Sequence, residues 1–591
     1  MSARELITEH LDLWTGAVTK KSSSGRGSNG KVELAGVKKL RELILELAVR
    51  GQLIEQSSDD SPVSILIEEI HSYREKLVDT GELKKQTKLP DIPTADAPYH
   101  LPEGWEWCRM GELAEVIRGV TYKKHQVSEQ PRDEHVALLR ANNIQETITD
   151  ESVVYVPLEL INKRQLITKG DILIAMSSGS ANLVGKAAQA SSEVHATFGA
   201  FCAVIRPLGK KLSLYLGFFT TTPTYRQQAQ ASGKGIGINN LNKKALDNLL
   251  VPVPPIEEQH RIVQKVDELM ALCDRMEQQT SDQLEAHETL VDTLLGTLTQ
   301  SENAAELAEN WARLAAHFDT LFTTEQSIDK LKQTILQLAV MGRLVEKDAE
   351  DEPAVDLLTQ IHTRKVSLAG DRRIKQPRPL AQLDDAQYSY TAPAHWAWAS
   401  FQDVADEIST GPFGSMIHKH DYVEGGIPLI NPSHMANGKI NEDSSVSVSP
   451  PKAEELSGYK LVKGDIVMAR RGEVGRCAVV TDRESGWLCG TGSFVLRFHP
   501  AINRQFILLL FSTNTVREYL SGNSVGTTMT NLNHGILKKM PVALPPAKEQ
   551  HRIVQKVDEL MTLCDQLKER LNQASETRNQ LAEAVVDNAL N

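Results

Sequence analysis

Hydrophobic positions along the chain follow two rhythms. From Ile262 onward apolar residues recur at Val266, Leu269, Cys273 and Met276 in alternating steps of four and three, and Ile553, Val557, Leu560, Cys564 and Leu567 repeat the series. That spacing is the seam of a coiled coil and predicts two long helices. Pro254-Pro255 and Pro545-Pro546 stand just ahead, where proline sets the first helical turn without losing a hydrogen bond. The helices are therefore expected to begin near Ile256 and Ala547, the second running almost to the end of the sequence. Over residues 101–255 and 392–546 the rhythm shortens to β-rich runs such as DILIAM, CAVIRP and SFVLRF, broken by glycine turns. Each stretch also holds one amphipathic helix, around KLSLYLGFFTTTPTYRQQAQ and RQFILLLFSTNTVREYL. Two mixed α/β domains are predicted. The polar, proline-bearing segments KKQTKLPDIPTADAPYHLPEG and RRIKQPRPLAQLDDAQYSYTAP read as the linkers leading into them.

The two halves are copies. EQHRIVQKVDELM occurs unchanged at 258–270 and 549–561, LRELILELAVRGQL at 40–53 matches LKQTILQLAVMGRL at 331–344, and WEW at 105–107 matches WAW at 396–398, all at an offset of 291. KGDILIAM returns as KGDIVMAR with a three-residue slip, and NLN at 240–242 returns at 531–533. One unit of about 290 residues has been used twice. Trp105, Trp107, Trp396 and Trp398 stand at strand spacing in matching places and read as core.

Composition removes several classes. No apolar run is long enough to cross a bilayer, and the charged start MSARELITEHLDLW lacks the layout of a signal peptide, so a cytoplasmic protein without a membrane partner is expected. The six cysteines never form CxxC and no Cys/His cluster has zinc spacing; neither disulfides nor a metal site are expected. Net charge is -12, against a nucleic-acid partner for the chain as a whole. The charge is uneven, however: residues 101–255 carry +3 and residues 392–546 carry 0, leaving -15 on the helical parts. Only the mixed domains would tolerate a polyanion.

Fragments that resemble catalytic motifs fail on inspection. GSANLVGKA at 179–187 has five residues between Gly179 and Gly185 and Ala187 where a phosphate loop needs Ser or Thr. NPSH at 431–434 lacks the second proline and the aromatic of an amino-methyltransferase motif. Asp421 and Glu424 lie in polar turns. No catalytic residue is assigned, and binding without chemistry is expected.

The stretch TGPFGSMIHKHDYVEGGIPLINPSH, the run KGDIVMARRGEVGRCAVV, the tail TTMTNLNHGILKKMPVALPPAKEQHRIV with its twin before Glu258, and the duplication together resemble the specificity subunit of type I restriction-modification systems over nearly the whole chain. VIRGVTYKKH in the first domain departs from ISTGPFGSMIHKH in the second. The resemblance implies an α/β fold: two target-recognition domains separated by long antiparallel coiled-coil helices, with an internal pseudo-two-fold repeat. Its expected parts are a helical region and linker at 1–100, target-recognition domains at 101–255 and 392–546, a central helical region at 256–391 and a C-terminal helix at 547–591. It further implies that each domain reads one half of an asymmetric bipartite site in double-stranded DNA. The helices would set the spacer and recruit two modification subunits, with restriction subunits in the full complex. No cofactor is expected in this chain; S-adenosylmethionine, ATP and Mg belong to those partners.

Residues in glycine-rich or basic turns are the expected DNA contacts, because close backbone approach and Arg or Lys reach serve phosphates and guanine edges. In the first domain these are Tyr122, Lys123, Lys124, Arg140, Asn142, Ser178, Lys186, Lys234 and Asn239. In the second they are Ser415, Lys419, Asn431, His434, Arg470, Arg471, Arg476, Thr527 and Thr528. The unchanged polar letters of the doubled helix, Gln259, His260, Arg261, Gln264 and Lys265 with Gln550, His551, Arg552, Gln555 and Lys556, are the expected partner-binding face. A helical scaffold with two ligand-binding domains and no role in DNA is the alternative reading, and a fused modification enzyme a further one.

Overall fold

The structure is a computed structural model that describes residues 9–17, 19–20, 32–178, 183–232, 239–302, 304–371, 374–380, 390–413, 416–522 and 532–590. Contacts divide the chain into two units, residues 1–283 with 574–591 and residues 284–573. The helices that carry the repeat are α1 (Ala35–Val49), α2 (Val63–Asp79), α3 (Ile256–Gln300), α4 (Glu325–Val340), α5 (Ala354–Gly370) and α6 (Ala547–Leu590). α3 has 45 residues and α6 has 44, with the double prolines immediately ahead of both.

In the first unit the opening turns of α3 and the last turns of α6 share one core with α1. Ile262, Val266, Cys273 and Met276 pack with Leu40, Leu47 and Ala582. In the second unit the roles exchange: Ile553, Val557 and Cys564 of α6 pack with Val291, Leu295 and Leu298 of α3 and with Leu331 and Ile335 of α4. The start of one long helix thus meets the end of the other in each unit, which is an antiparallel arrangement. The seam cysteines are buried there as small hydrophobes, and all six cysteines are free and buried.

The mixed domain of each unit has the same sheets. In the first, a four-stranded antiparallel sheet runs in the order Ala114–Arg118, Cys202–Pro207, Ile172–Ala175, Ala187–Gln189. A three-stranded sheet sets His135–Leu139 parallel to Ala196–Phe198 and antiparallel to Val154–Pro157. The second domain repeats both, with Ala405–Thr410, Ser493–Phe498, Ile466–Ala469 and Cys477–Val479 in the first sheet and Tyr422–Ile430 parallel to Leu488–Cys489 in the other. A separate ladder closes each domain at its root: Glu106–Arg109 pairs with Leu250–Val253, and Ala397–Ser400 with Pro541–Leu544. Chain entry and exit are therefore hydrogen-bonded to each other just before the long helix begins.

The root is fastened by duplicated contacts. Trp105 and Trp396, 8% and 6% exposed, donate their indole N–H to Glu258 and Glu549 at 3.0 and 3.1 Å. Tyr99 and Tyr390 donate to the carbonyls of Val49 and Val340, the last residues of α1 and α4, at 3.0 and 2.8 Å. Gly51 and Gly342, with φ of +69° and +71°, turn the chain beneath these tryptophans, where a Cβ would strike Pro102 and Pro393. The segment before the first mixed domain is not a free spacer: Arg109 bonds the carbonyl of Pro90 at 2.7 Å.

Candidate nucleic-acid interface

The shared motifs turn out to be frame. In KGD, Asp171 and Asp465 are 1% and 3% exposed. Arg206 grips Asp171 with two bonds of 2.8 and 2.6 Å, and Arg497 grips Asp465 at 3.3 Å. In NLN, Leu241 and Leu532 are fully buried, while Asn242 and Asn533 cap the short helices that follow by accepting from the amides of Ala245 and Ile536. Leu241 and Leu532 also tie back to the ends of their sheets, through bonds of 2.8 Å to the carbonyls of Met176 and Arg470. Met176 and Arg470 are thus equivalent positions.

The departing stretches VIRGVTYKKH and ISTGPFGSMIHKH share one feature that matters. At Gly119 a Cβ would run into the carbonyl oxygen of Gly199, and at Gly411 into that of Gly490. Each domain therefore has a crossing where two backbone segments touch, which only glycine permits. The amides of Gly199 and Gly490 bond the carbonyls of Leu139 and Ile430 at 2.9 and 2.8 Å.

Beside the second domain's crossing Arg470 and His534 meet on one aromatic ring. The Arg470 amide bonds the Gly492 carbonyl at 3.0 Å, and its guanidinium lies 5.5 Å from the Phe494 ring centroid. His534 stacks on the same ring with centroids 5.2 Å apart. Burial and the neighbouring Arg471 push the Arg470 pKa down; burial, then Lys538 and Arg470, push that of His534 below its ordinary 6.5. Arg470 Nε and His534 Nε2 are buried and have no hydrogen-bond partner among the described residues. A guanidinium without an acidic partner is able to take an outside anion. His534 and Phe494 were not among the expected contacts; histidine directly after NLN was the available signal.

The other expected contacts divide. Arg471 is exposed, whereas Arg476 is ion-paired with Glu473. Lys419 is exposed at the start of a short turn, as are Lys123 and Lys124 in the first domain, while Tyr122 packs against the cluster of Val120, Leu138 and Val156. Arg140 is held by the Ser152 carbonyl at 2.8 Å and Lys186 by Gln145 at 2.8 Å. Asn142 is exposed and Asn431 half-buried. His434 is 7% exposed and accepts the Asn431 amide at 3.3 Å, so it braces its loop instead of presenting a ring to a ligand. Ser178 and Asn239 pair through their backbones. Lys234, Ser415, Thr527 and Thr528 lie outside the described residues.

The helix face needs correction. Gln259 and Gln550 are not outward: they are 1% and 0% exposed, and each bonds the carbonyl of the proline five residues before it, at 2.8 and 3.0 Å. Arg261 and Arg552 reach back in bidentate pairs to Asp60 and Asp351. The sequence offered no partner for these letters because Asp60 and Asp351 lie 201 residues upstream. His260, Gln264 and Lys265, with His551, Gln555 and Lys556, remain at the surface. Among the described residues, no His, Cys, Asp or Glu cluster could hold a metal ion, and no helix is long and apolar enough to cross a membrane.

Comparison with known proteins gives a consistent picture. The family model described as type I restriction modification DNA specificity domain matches residues 102–286 and 402–576. The chain is 34% identical over 630 residues to the type I restriction enzyme EcoEI specificity subunit of Escherichia coli, covering all of both chains. It is likewise 34% identical over 632 residues to the EcoAI specificity subunit of Escherichia coli. The HsdS subunit from Thermoanaerobacter tengcongensis aligns with a TM-score of 0.39 and 19% identity over 83% of this chain and 98% of that one.

Proposed function

Because the chain belongs to the type I restriction modification DNA specificity family, we propose that it is the non-catalytic, sequence-reading subunit of a type I restriction-modification complex. Each target-recognition domain reads one half of an asymmetric bipartite site in double-stranded DNA. The observation that carries this reading is the pair Arg470 and His534 on the Phe494 ring beside the crossing, with a guanidinium Nε that has no partner among the described residues, in a chain of net charge -12. In the first domain Lys123 and Lys124 occupy the turn after the glycine crossing and are the matching candidates.

The long helices act as the ruler of the site. A 45-residue helix spans about 68 Å at 1.5 Å per residue. The exposed repeated letters His260, Gln264 and Lys265 with His551, Gln555 and Lys556 are the face offered to two modification subunits, which carry S-adenosylmethionine; restriction subunits, with ATP and Mg, join through them. Gln259, Arg261, Gln550 and Arg552 serve the chain's own root instead.

The test is a domain exchange. Residues 101–255 are replaced by the equivalent domain of a relative, the chain is assembled with its modification subunits, and methylated sites are mapped. One half-site is expected to change while the other half and the spacer stay. A change in both halves, or in neither, refutes one domain per half-site. Duplex binding by the assembled complex is expected to weaken steeply with salt; salt-independent binding would favour the non-DNA scaffold.

A further inference from the structure

Two side chains in the readers are exposed far beyond what an apolar ring tolerates without a purpose. Phe201 is 71% exposed and Phe413 67%, ahead of Val355 and Leu563 at 59%, the next large apolar residues among those described. They fall one in each reader, and both lie two residues after a crossing glycine: Phe201 after Gly199 and Phe413 after Gly411.

Neither ring hangs from a loose tail. The Phe201 carbonyl accepts the amides of Met176 and Ser177 at 2.8 and 3.3 Å, and Cys202 closes the turn onto Gly199 at 2.8 Å. The Phe413 carbonyl accepts the Met416 amide at 2.9 Å, and Gly411 is tied to Ser493 at 3.0 Å. These bonds anchor the backbone carbonyl of each phenylalanine.

The two rings come from opposite partners of the crossing. Phe201 occupies the position of Gly492, since Met176 bonds Phe201 as Arg470 bonds Gly492. Phe413 answers to Thr121, two residues after Gly119. The residue types at these positions have changed, yet each domain keeps one exposed aromatic two residues from a crossing glycine. A shared task explains this better than packing, because neither ring joins a core cluster of the described residues.

We propose that Phe201 and Phe413 are wedges, each stacking against bases of duplex DNA and partly unstacking one base step in its half-site. An aromatic face stacks on any base and so does not dictate sequence by itself. A wedge selects the step that opens most readily and bends the duplex there. This inference rests on the DNA reading above and adds to it a mechanism the arginines do not supply.

The complex of this chain with its modification subunits is compared with F201A and F413A complexes on cognate duplexes carrying a single 2-aminopurine, scanned through each half-site. The wild-type complex is expected to raise 2-aminopurine fluorescence at one step in each half-site. F201A is expected to abolish the rise in one half-site alone, F413A in the other, and each to weaken binding about tenfold. Both variants should keep the wild-type melting temperature because the rings are exposed, and F201W and F413W should restore the signal. Unchanged fluorescence in the alanine variants overturns the wedge, whether or not affinity falls, and leaves the DNA reading standing. A wild-type complex that does not bind duplex overturns both.

Discussion

The first turns of the long helices and the loop at Arg470 present polar side chains in opposite ways. At the helix starts Glu258 and Glu549, the amide nitrogens of Gln259 and Gln550, and Arg261 and Arg552 are each matched to a group of their own unit; the copies differ at the amide oxygen, which in Gln550 accepts the Asn503 amide at 2.8 Å and in Gln259 has no partner among the described residues. At Arg470 and His534 buried nitrogens have no partner among the described residues. Identity between copies therefore has two sources that look alike in a sequence: a shared outside partner and a shared inside one. Much of EQHRIVQKVDELM belongs to the second.

The root contacts are the place to break this comparison hardest. Replacing Trp105 or Trp396 by Ala empties a buried site and removes one of two partners from the carboxylate of Glu258 or Glu549, which keep Gln56 and His395 respectively, so a loss of about 3–5 kcal/mol is expected, read by denaturant unfolding. The two losses should be similar, because the two roots are built alike. A tryptophan whose removal left stability untouched but weakened assembly with the modification subunits would show that its helix start is an outside-facing site after all.

The reader loop should respond in the other currency. Arg470→Ala is expected to leave the unfolding midpoint nearly unchanged and to weaken duplex binding by the assembled complex by about 1–3 kcal/mol. Arg476→Ala should do less, since Arg476 already faces Glu473. Equal effects of the two on affinity would mean that the missing partner at Arg470 is not what marks the interface.

The smallest effect concerns the ion pairs of Arg261 and Arg552. Hydrogen bonds from these guanidiniums hold the carboxyls of Asp60 and Asp351 below their ordinary 3.8. Because the folded pKa is depressed, the contribution is present above the unfolded value of about 3.9 and is lost as pH falls through the lower folded value. The arginine side chains are 40% and 33% exposed, so each pair is worth about 0.5–1 kcal/mol. Asp60→Asn and Asp351→Asn should lower stability by that amount at pH 7, and titration of the unfolding free energy should show the gap from the unmodified chain closing below about pH 4.

The frame also shows how copies drift without harm. Glu46 receives Thr224 Oγ1 at 2.9 Å and faces Arg50 at 3.5 Å. At the offset of 291, Gln337 receives Thr515 at 2.9 Å and Met341 replaces Arg50. Loss of the acid accompanies loss of the base, so no buried charge is left alone.

The amino-acid sequence by itself determined the repeat, the two long helices and the two mixed domains. These follow from periodicity and from prolines that set helix starts, which are properties of neighbouring residues. It also placed Trp105 and Trp396 in the core and Trp398 against it, while Trp107 is half-buried and lies edge-on to Tyr99 instead. Tertiary structure alone decided what each polar letter does. Asp60 meets Arg261, Asp351 meets Arg552, and Gly411 meets Gly490 across long stretches of chain. A residue's partner over such a distance is set by folding of the whole domain, and no spacing rule within one element can announce it.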